Sequence, residues 1–321
     1  LDTDSLKIEF ETNQVMLDLL GPNDLFIKTL EKELEFSGIV RRGNLLTLPD
    51  ADLSVKLFDL ISSMKELILL GKKFSHQDLL YSLRLIKNGE NPNFYDIFSN
   101  EINITRKGTL IRPRTPGQTF YCSAMEKKAL VFCQGPAGTG KTYLAAALAT
   151  RLLREKSISR ILLTRPAIEA GEKIGFLPGE LKDKVDPFFK PLYDAILDFI
   201  PIDRFQKYLE RGTIEIAPLA FMRGRTLKDA FLILDEAQNT TKLQMKMFLT
   251  RIGHNSRAVI TGDISQVDLM GTGENGLSNA VKVLSGLEEA EFVKLSAADV
   301  VRHDLVQRIV MAYESYGLKG V

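Results

Sequence analysis

This chain has no tryptophan, two cysteines and three histidines in 321 residues. Cys122 and Cys133 alone make neither a disulfide framework nor a zinc-ligand spacing. Cys133 falls in an apolar run, so a buried, reduced thiol is expected there. His76, His254 and His303 are too scattered to suggest a metal cluster. No apolar run approaches the ~18 residues that cross a bilayer, so no membrane partner is expected. The opening stretch "LDTDSLKIEFE" is acidic and lacks the apolar centre of a signal peptide. It also lacks an initial Met, which suggests processing or trimming, and the cytoplasm is the expected location.

What is present is enough for two domains. Hydrophobic residues make up 45% of the chain and the net charge is +1. That balance hides an asymmetry of −5 over residues 1–99 and +6 over 100–321. A modest positive field favours nucleotide or RNA without marking a dedicated nucleic-acid binder. In the first part, 6–11 reads as a strand and 24–38 as a helix ended by Gly38. Residues 38–50 read as a hairpin turning at Gly43-Asn44, and 51–70 and 76–88 show helical spacing. This predicts a small α+β domain over 1–98. A basic linker over 99–119 follows, with Arg106, Lys107, Arg112 and Arg114 expected as a solvated connector or an RNA- or phosphate-facing strip. From 120 to 321 strands alternate with helices, the strands at 129–134, 160–164, 213–217, 230–234, 257–261 and 291–295. The pattern predicts an α/β domain, a parallel sheet with helices on both faces.

The stretch "GPAGTGKTYLAAALA" (135–149) fits G-x-x-x-x-G-K-[ST]. Gly135, Gly138 and Gly140 let the chain turn tightly and aim bare N–H groups at one centre, with Pro136, Ala137 and Thr139 between them. A strong helix former follows, so its dipole and free N–H groups face the same anion. Lys141 reaches β- and γ-phosphates, Thr142 ligates Mg²⁺, and Tyr143 continues the binding loop.

"FLILDEAQN" (231–239) is an apolar strand ending in two carboxylates, 94 residues after Lys141. Asp235 is expected to hold Mg²⁺ and Glu236 to deprotonate the attacking water. A phosphotransferase does not need that second acid, so the pair favours hydrolysis. "VITGDISQ" (259–266) is a further strand with Asp263 and Gln266 placed to sense a γ-phosphate.

In this order, "GPAGTGKT", "DEAQ" and "TGDISQ" resemble the first motor lobe of superfamily 1 helicases. "LTRPAIEAGEKIGFLPGEL" (163–181), "DPFFKPLYDA" (186–195), "FMRGRTLKDAFLILDEAQNTT" (221–241) and "DVVRHDLVQRIVMAYE" (299–314) resemble the PhoH-like ATPases. The resemblance implies a RecA-like fold, ATP as nucleotide, and a role in RNA metabolism as a helicase-like motor. The alternative is a nucleotide-dependent switch for an RNA-processing protein. The first hundred residues are similar to a KH-type RNA-binding unit, although "GPND" (21–24) stands where such a unit has G-x-x-G. A protein-interaction or assembly role is the other expectation for them. Gln118 occupies the place of a helicase Q-motif, with an amide suited to adenine. Helicases of this kind take an arginine from a second lobe. With 86 residues after Asp235, the arginine is expected from a neighbouring copy in a hexameric ring. The candidates are Arg302, Arg308, Arg223 and Arg225.

Overall fold

The computed structural model describes residues 6–49, 52–72, 74, 76–87, 89, 93–99, 101–166, 181–264, 266 and 274–301. They divide into two compact units, Leu1–Glu101 with Arg112–Pro116, and Ile102–Ile111 with Gly117–Val321.

The smaller unit runs β1 (Leu6–Glu9), α1 (Asn13–Leu20), α2 (Leu25–Leu34), β2 (Val40–Arg42), β3 (Leu45–Leu48), α3 (Asp52–Leu69), α4 (His76–Lys87) and α5 (Phe94–Ser99). Thr12 caps α1 by accepting from Val15 N, and Met16, Leu19 and Leu20 form its buried stripe. Gly43 adopts φ +59° in the hairpin, and β3 pairs antiparallel with both β1 and β2. In α3, Leu57, Leu60, Ile61, Met64 and Leu67 repeat at helical spacing and are buried with Ile8, Phe10, Leu46 and Leu48 of the sheet side.

Arg112 belongs to this unit and departs from the expected solvated strip. Its side chain is 3% exposed, donates to Glu101 Oε1 at 3.2 Å, and lies over the Phe74 ring at 5.3 Å. Arg106 and Lys107 are exposed at the tip of a hairpin in the larger unit. Burial acts to raise the Glu101 pKa, but hydrogen bonds from Lys72 and Arg112 hold it below its usual 4.5. Arg112→Ala should destabilise this unit by about 2 kcal/mol in urea unfolding. That is less than the roughly 3–5 kcal/mol of a broken buried pair, because Lys72 still holds Glu101 at 3.0 Å. A lowered carboxylate stabilises above its unfolded pKa, so the deficit should shrink as pH falls below about 4.5.

The larger unit opens with the hairpin β4 (Asn103–Ile104) and β5 (Leu110–Ile111), then α6 (Pro116–Lys127). There follow β6 (Leu130–Gln134), α7 (Lys141–Arg154), β7 (Arg160–Arg165), α8 (Leu181–Leu197), α9 (Ile202–Glu210) and β8 (Ile214–Pro218). Then come β9 (Ala230–Leu234), α10 (Lys242–Leu249), β10 (Arg257–Gly262), α11 (Gly276–Leu284) and β11 (Ala290–Lys294). The six strands β6–β11 form one parallel sheet in the order β11-β6-β10-β9-β7-β8. Successive residues of β6 explain the two-faced burial. Val131 and Cys133 pack with α6, α7, α8 and α9, while Leu130 and Phe132 pack with α10 and α11. This is the RecA-like α/β sheet expected of the sequence. Its order brings the carboxyl ends of β6, β10, β9 and β7 side by side, where open parallel sheets bind ligands.

Candidate active site

The phosphate loop leaves β6 and enters α7. Gly138 (φ +86°) and Gly140 (φ +78°) take left-handed backbone conformations that favour glycine. Gly135 is needed for a different reason. A Cβ there would lie 2.8 Å from both Leu295 O and Leu295 Cβ. Its own N–H donates to Gly262 O at 3.1 Å, fastening the loop to β10. Thr139 is fully buried and its hydroxyl donates to Pro136 O at 2.9 Å. Lys141 folds back over the loop and donates to Gly135 O at 2.6 Å and Pro136 O at 2.8 Å. Burial pushes its pKa below the ordinary 10.5, while Asp263, Asp235 and Glu236 oppose the shift.

Asp235 follows β9 and is 7% exposed. Its Oδ1 accepts from Thr142 Oγ1 at 2.6 Å and from Thr261 Oγ1 at 2.7 Å. Two hydroxyls and a carboxylate make a hard-oxygen donor set, which suits Mg²⁺ sharing ligands with a nucleotide's phosphates. No three His, Cys, Asp or Glu side chains cluster as ligands among the described residues.

Glu236 sits in the left-handed region at φ +52°, uncommon for a residue with a side chain. Its Oε1 accepts from Arg165 Nη2 at 2.8 Å, and its Oε2 accepts from Gln238 Nε2. The Gln238 carbonyl in turn accepts from Asp263 N at 3.0 Å, and Gln266 Nε2 donates to Asp263 Oδ2 at 3.0 Å. The ends of β9 and β10 are thereby joined by side-chain hydrogen bonds. These groups surround a cleft of about 490 Å³ lined by Ala137, Gly138, Gly140, Lys141, Thr142 and Tyr143 of the loop and α7. Arg165, Asp235, Glu236, Gly262, Asp263 and Gln266 line it from the strand ends, Pro191, Asp194 and Ala195 from α8, and Asp198 from the turn after it.

A family model described as "PhoH-like protein" matches residues 110–314. This chain belongs to the PhoH-like protein family. It is 48% identical over 299 residues to the PhoH-like protein of Bacillus subtilis, covering 93% of each chain. The PhoH-like protein of Synechocystis is 50% identical over 244 residues, which is 76% of this chain and 74% of that one. Among solved structures, the Sulfolobus solfataricus SWI2/SNF2 ATPase core in complex with dsDNA matches at a TM-score of 0.35 and 16% identity. That match covers 56% of this chain and 44% of the other.

In this PhoH-like chain, Lys141, Thr142, Asp235, Glu236 and Gln266 all reach one cleft. Gln118 does not line it. It is 3% exposed and its amide donates to Thr139 O at 3.1 Å, so it braces the phosphate loop from beneath. Tyr143 lines the cleft, with its ring 5.4 Å from that of Phe199. Arg302 and Arg308 lie outside the described residues. Arg225 is taken up by Glu215, to which both terminal nitrogens donate, whereas Arg223 is exposed. Sequence reading did not find Arg165 or Thr261, since nothing in their spacing distinguishes them before the strand order is known. Cys122 and Cys133 are free and buried, and burial pushes both thiols well above the ordinary range. No helix among the described residues is long and apolar enough to cross a membrane.

Proposed function

We propose that this chain binds ATP with Mg²⁺ and hydrolyses it, as a helicase-like motor acting on RNA in the cytoplasm. The observation that carries the reading is the convergence of Lys141, Thr142, Asp235 and Glu236 on one cleft. Lys141 and the free N–H groups opening α7 hold the β- and γ-phosphates. Mg²⁺ bound by Thr142 and Asp235 would neutralise charge developing on the phosphate oxygens. Glu236 takes the proton of the water that attacks the γ-phosphate. Asp263 and Gln266, at the end of β10, register whether that phosphate is present.

RNA enters the reading through the helicase-like motifs and the smaller unit. The first six elements of that unit, β-α-α-β-β-α, and its antiparallel β1-β3-β2 sheet are compatible with a KH-type domain, with α4 and α5 added after them. Its turn at 21–24 carries an acid, Asp24, paired with Arg41 at 2.9 Å. The arginine completing the site comes from a neighbouring copy in a hexameric ring, supplied by Arg302, Arg308 or Arg223. Sedimentation that finds only monomer with ATP and Mg²⁺ would exclude the ring.

A second reading is a nucleotide-dependent switch that engages an RNA-processing protein and turns over slowly. The occupied state of both Glu236 oxygens favours it. Phosphate release from ATP, with and without single-stranded RNA, separates the two. Strong stimulation by RNA supports the motor. A slow rate indifferent to RNA supports the switch. Rates unaffected by chelating Mg²⁺ would sink the metal-dependent hydrolysis itself.

A further inference from the structure

We propose that Arg165 is a positioning residue that locks Glu236 in a resting arrangement, and that the γ-phosphate of bound nucleotide opens the lock. The proposal rests on the reading of Glu236 as the base that activates water.

A general base needs an anionic oxygen directed at the proton it will take. Neither oxygen of Glu236 is free of a donor. Arg165 holds Oε1 at 2.8 Å and Gln238 holds Oε2. Arg165 is not confined to this one contact, since its Nη1 donates to Phe188 O of α8 at 2.8 Å. One side chain therefore links the end of β7, the turn after β9 and the helix that walls the cleft. That makes the lock sensitive to what occupies the cleft.

The exposures fit a reversible contact. Arg165 and Glu236 side chains are 22% and 32% exposed, and both line the cleft. A terminal phosphate bound on the phosphate loop is an anion of higher charge beside the same guanidinium, and guanidinium pairs with phosphate at least as well as with carboxylate. It competes for Arg165. At the other oxygen, Gln238 is held by Asp263 N at 3.0 Å, at the strand end where the γ-phosphate is sensed. The left-handed backbone of Glu236 is consistent with a side chain set by its surroundings. Arrival of the phosphate thus frees the base only when there is a bond to cleave, and an empty or ADP-filled cleft keeps it locked.

A double-mutant cycle of thermal midpoints with Arg165→Ala, Glu236→Ala and the pair tests the lock. Without nucleotide the singles should fail to add by about 1–2 °C, and the coupling should vanish with a non-hydrolysable ATP analogue bound. A coupling that is absent without nucleotide or unchanged by the analogue overturns the lock. Calorimetry on the same samples reports analogue binding. Wild-type protein that binds none removes the proposed function and the release step together. Binding with unchanged coupling removes the lock alone.

Discussion

Lys141→Ala should weaken binding of an ATP analogue by about 10²-fold or more, measured by calorimetry, and should leave no measurable turnover. The size follows from what the ammonium does. Charge-assisted hydrogen bonds to a buried anion are worth roughly 1.5–3 kcal/mol each, and two of them correspond to a factor of a hundred or more. In this structure the same ammonium donates to Gly135 O and Pro136 O, so it must exchange two carbonyl oxygens for phosphate oxygens on binding. Removing it takes away the phosphate's partner and also leaves those carbonyls to solvent. Lys141→Met separates the two effects, because it keeps the apolar stem packed while deleting the charge. Both variants should lose binding alike if charge dominates. Recovery in Lys141→Met to within threefold of wild type would assign the loop's affinity to packing and backbone N–H groups instead. A wild-type Kd retained in Lys141→Ala would remove the loop from nucleotide binding altogether.

The sheet and the phosphate loop were legible in the sequence because each rests on local patterns. The buried strands are apolar runs such as "LVFC" and "FLIL", and their periodicity needs no knowledge of neighbours. The same holds for Asp235 and Glu236, which terminate such a run. Where sequence reading stopped short, the deciding contact crosses the fold. Arg165 matters because β7 lies beside β9, an adjacency set by the strand order. Thr261 reaches Asp235 because β10 is inserted between β6 and β9. Gln118 Nε2 donates to Thr139 O at 3.1 Å, a contact between α6 and the phosphate loop that the sequence does not display. Arg112 sits in a run of basic residues and prolines that reads as solvated. Its partners Glu101 and Phe74 lie 11 and 38 positions upstream and share no pattern with it. Helix α1 is not distinguished in the sequence because Val15, Met16, Leu17, Leu19 and Leu20 are all apolar, so the i, i+3, i+4 stripe of Met16, Leu19 and Leu20 does not stand out.

Glu236→Gln should retain nucleotide affinity within about threefold and lose phosphate release by about 10²-fold or more, the scale of a deleted general base. The substitution is close to isosteric, so the cleft keeps its shape. The amide oxygen can still accept from Arg165, but the amide nitrogen then meets the Gln238 Nε2 donor. Gln238 cannot simply turn over to relieve this, because its carbonyl accepts from Asp263 N at 3.0 Å. The variant thus loses the base and introduces one donor–donor conflict, which should cost a little local stability. That conflict bears on the control. Glu236→Ala removes it along with the base, so the two variants should share the loss in turnover and differ in thermal midpoint. Single-turnover measurements keep chemistry apart from product release, and the loss should appear in the single-turnover rate itself. If both variants stay within tenfold of wild type in that rate, water is activated without Glu236. The carboxylate would then be a structural partner of Arg165, and the ion pair at 2.8 Å would be a fixed feature of the sheet edge. If both collapse while analogue binding holds, the acid after β9 is the group that makes this cleft hydrolytic.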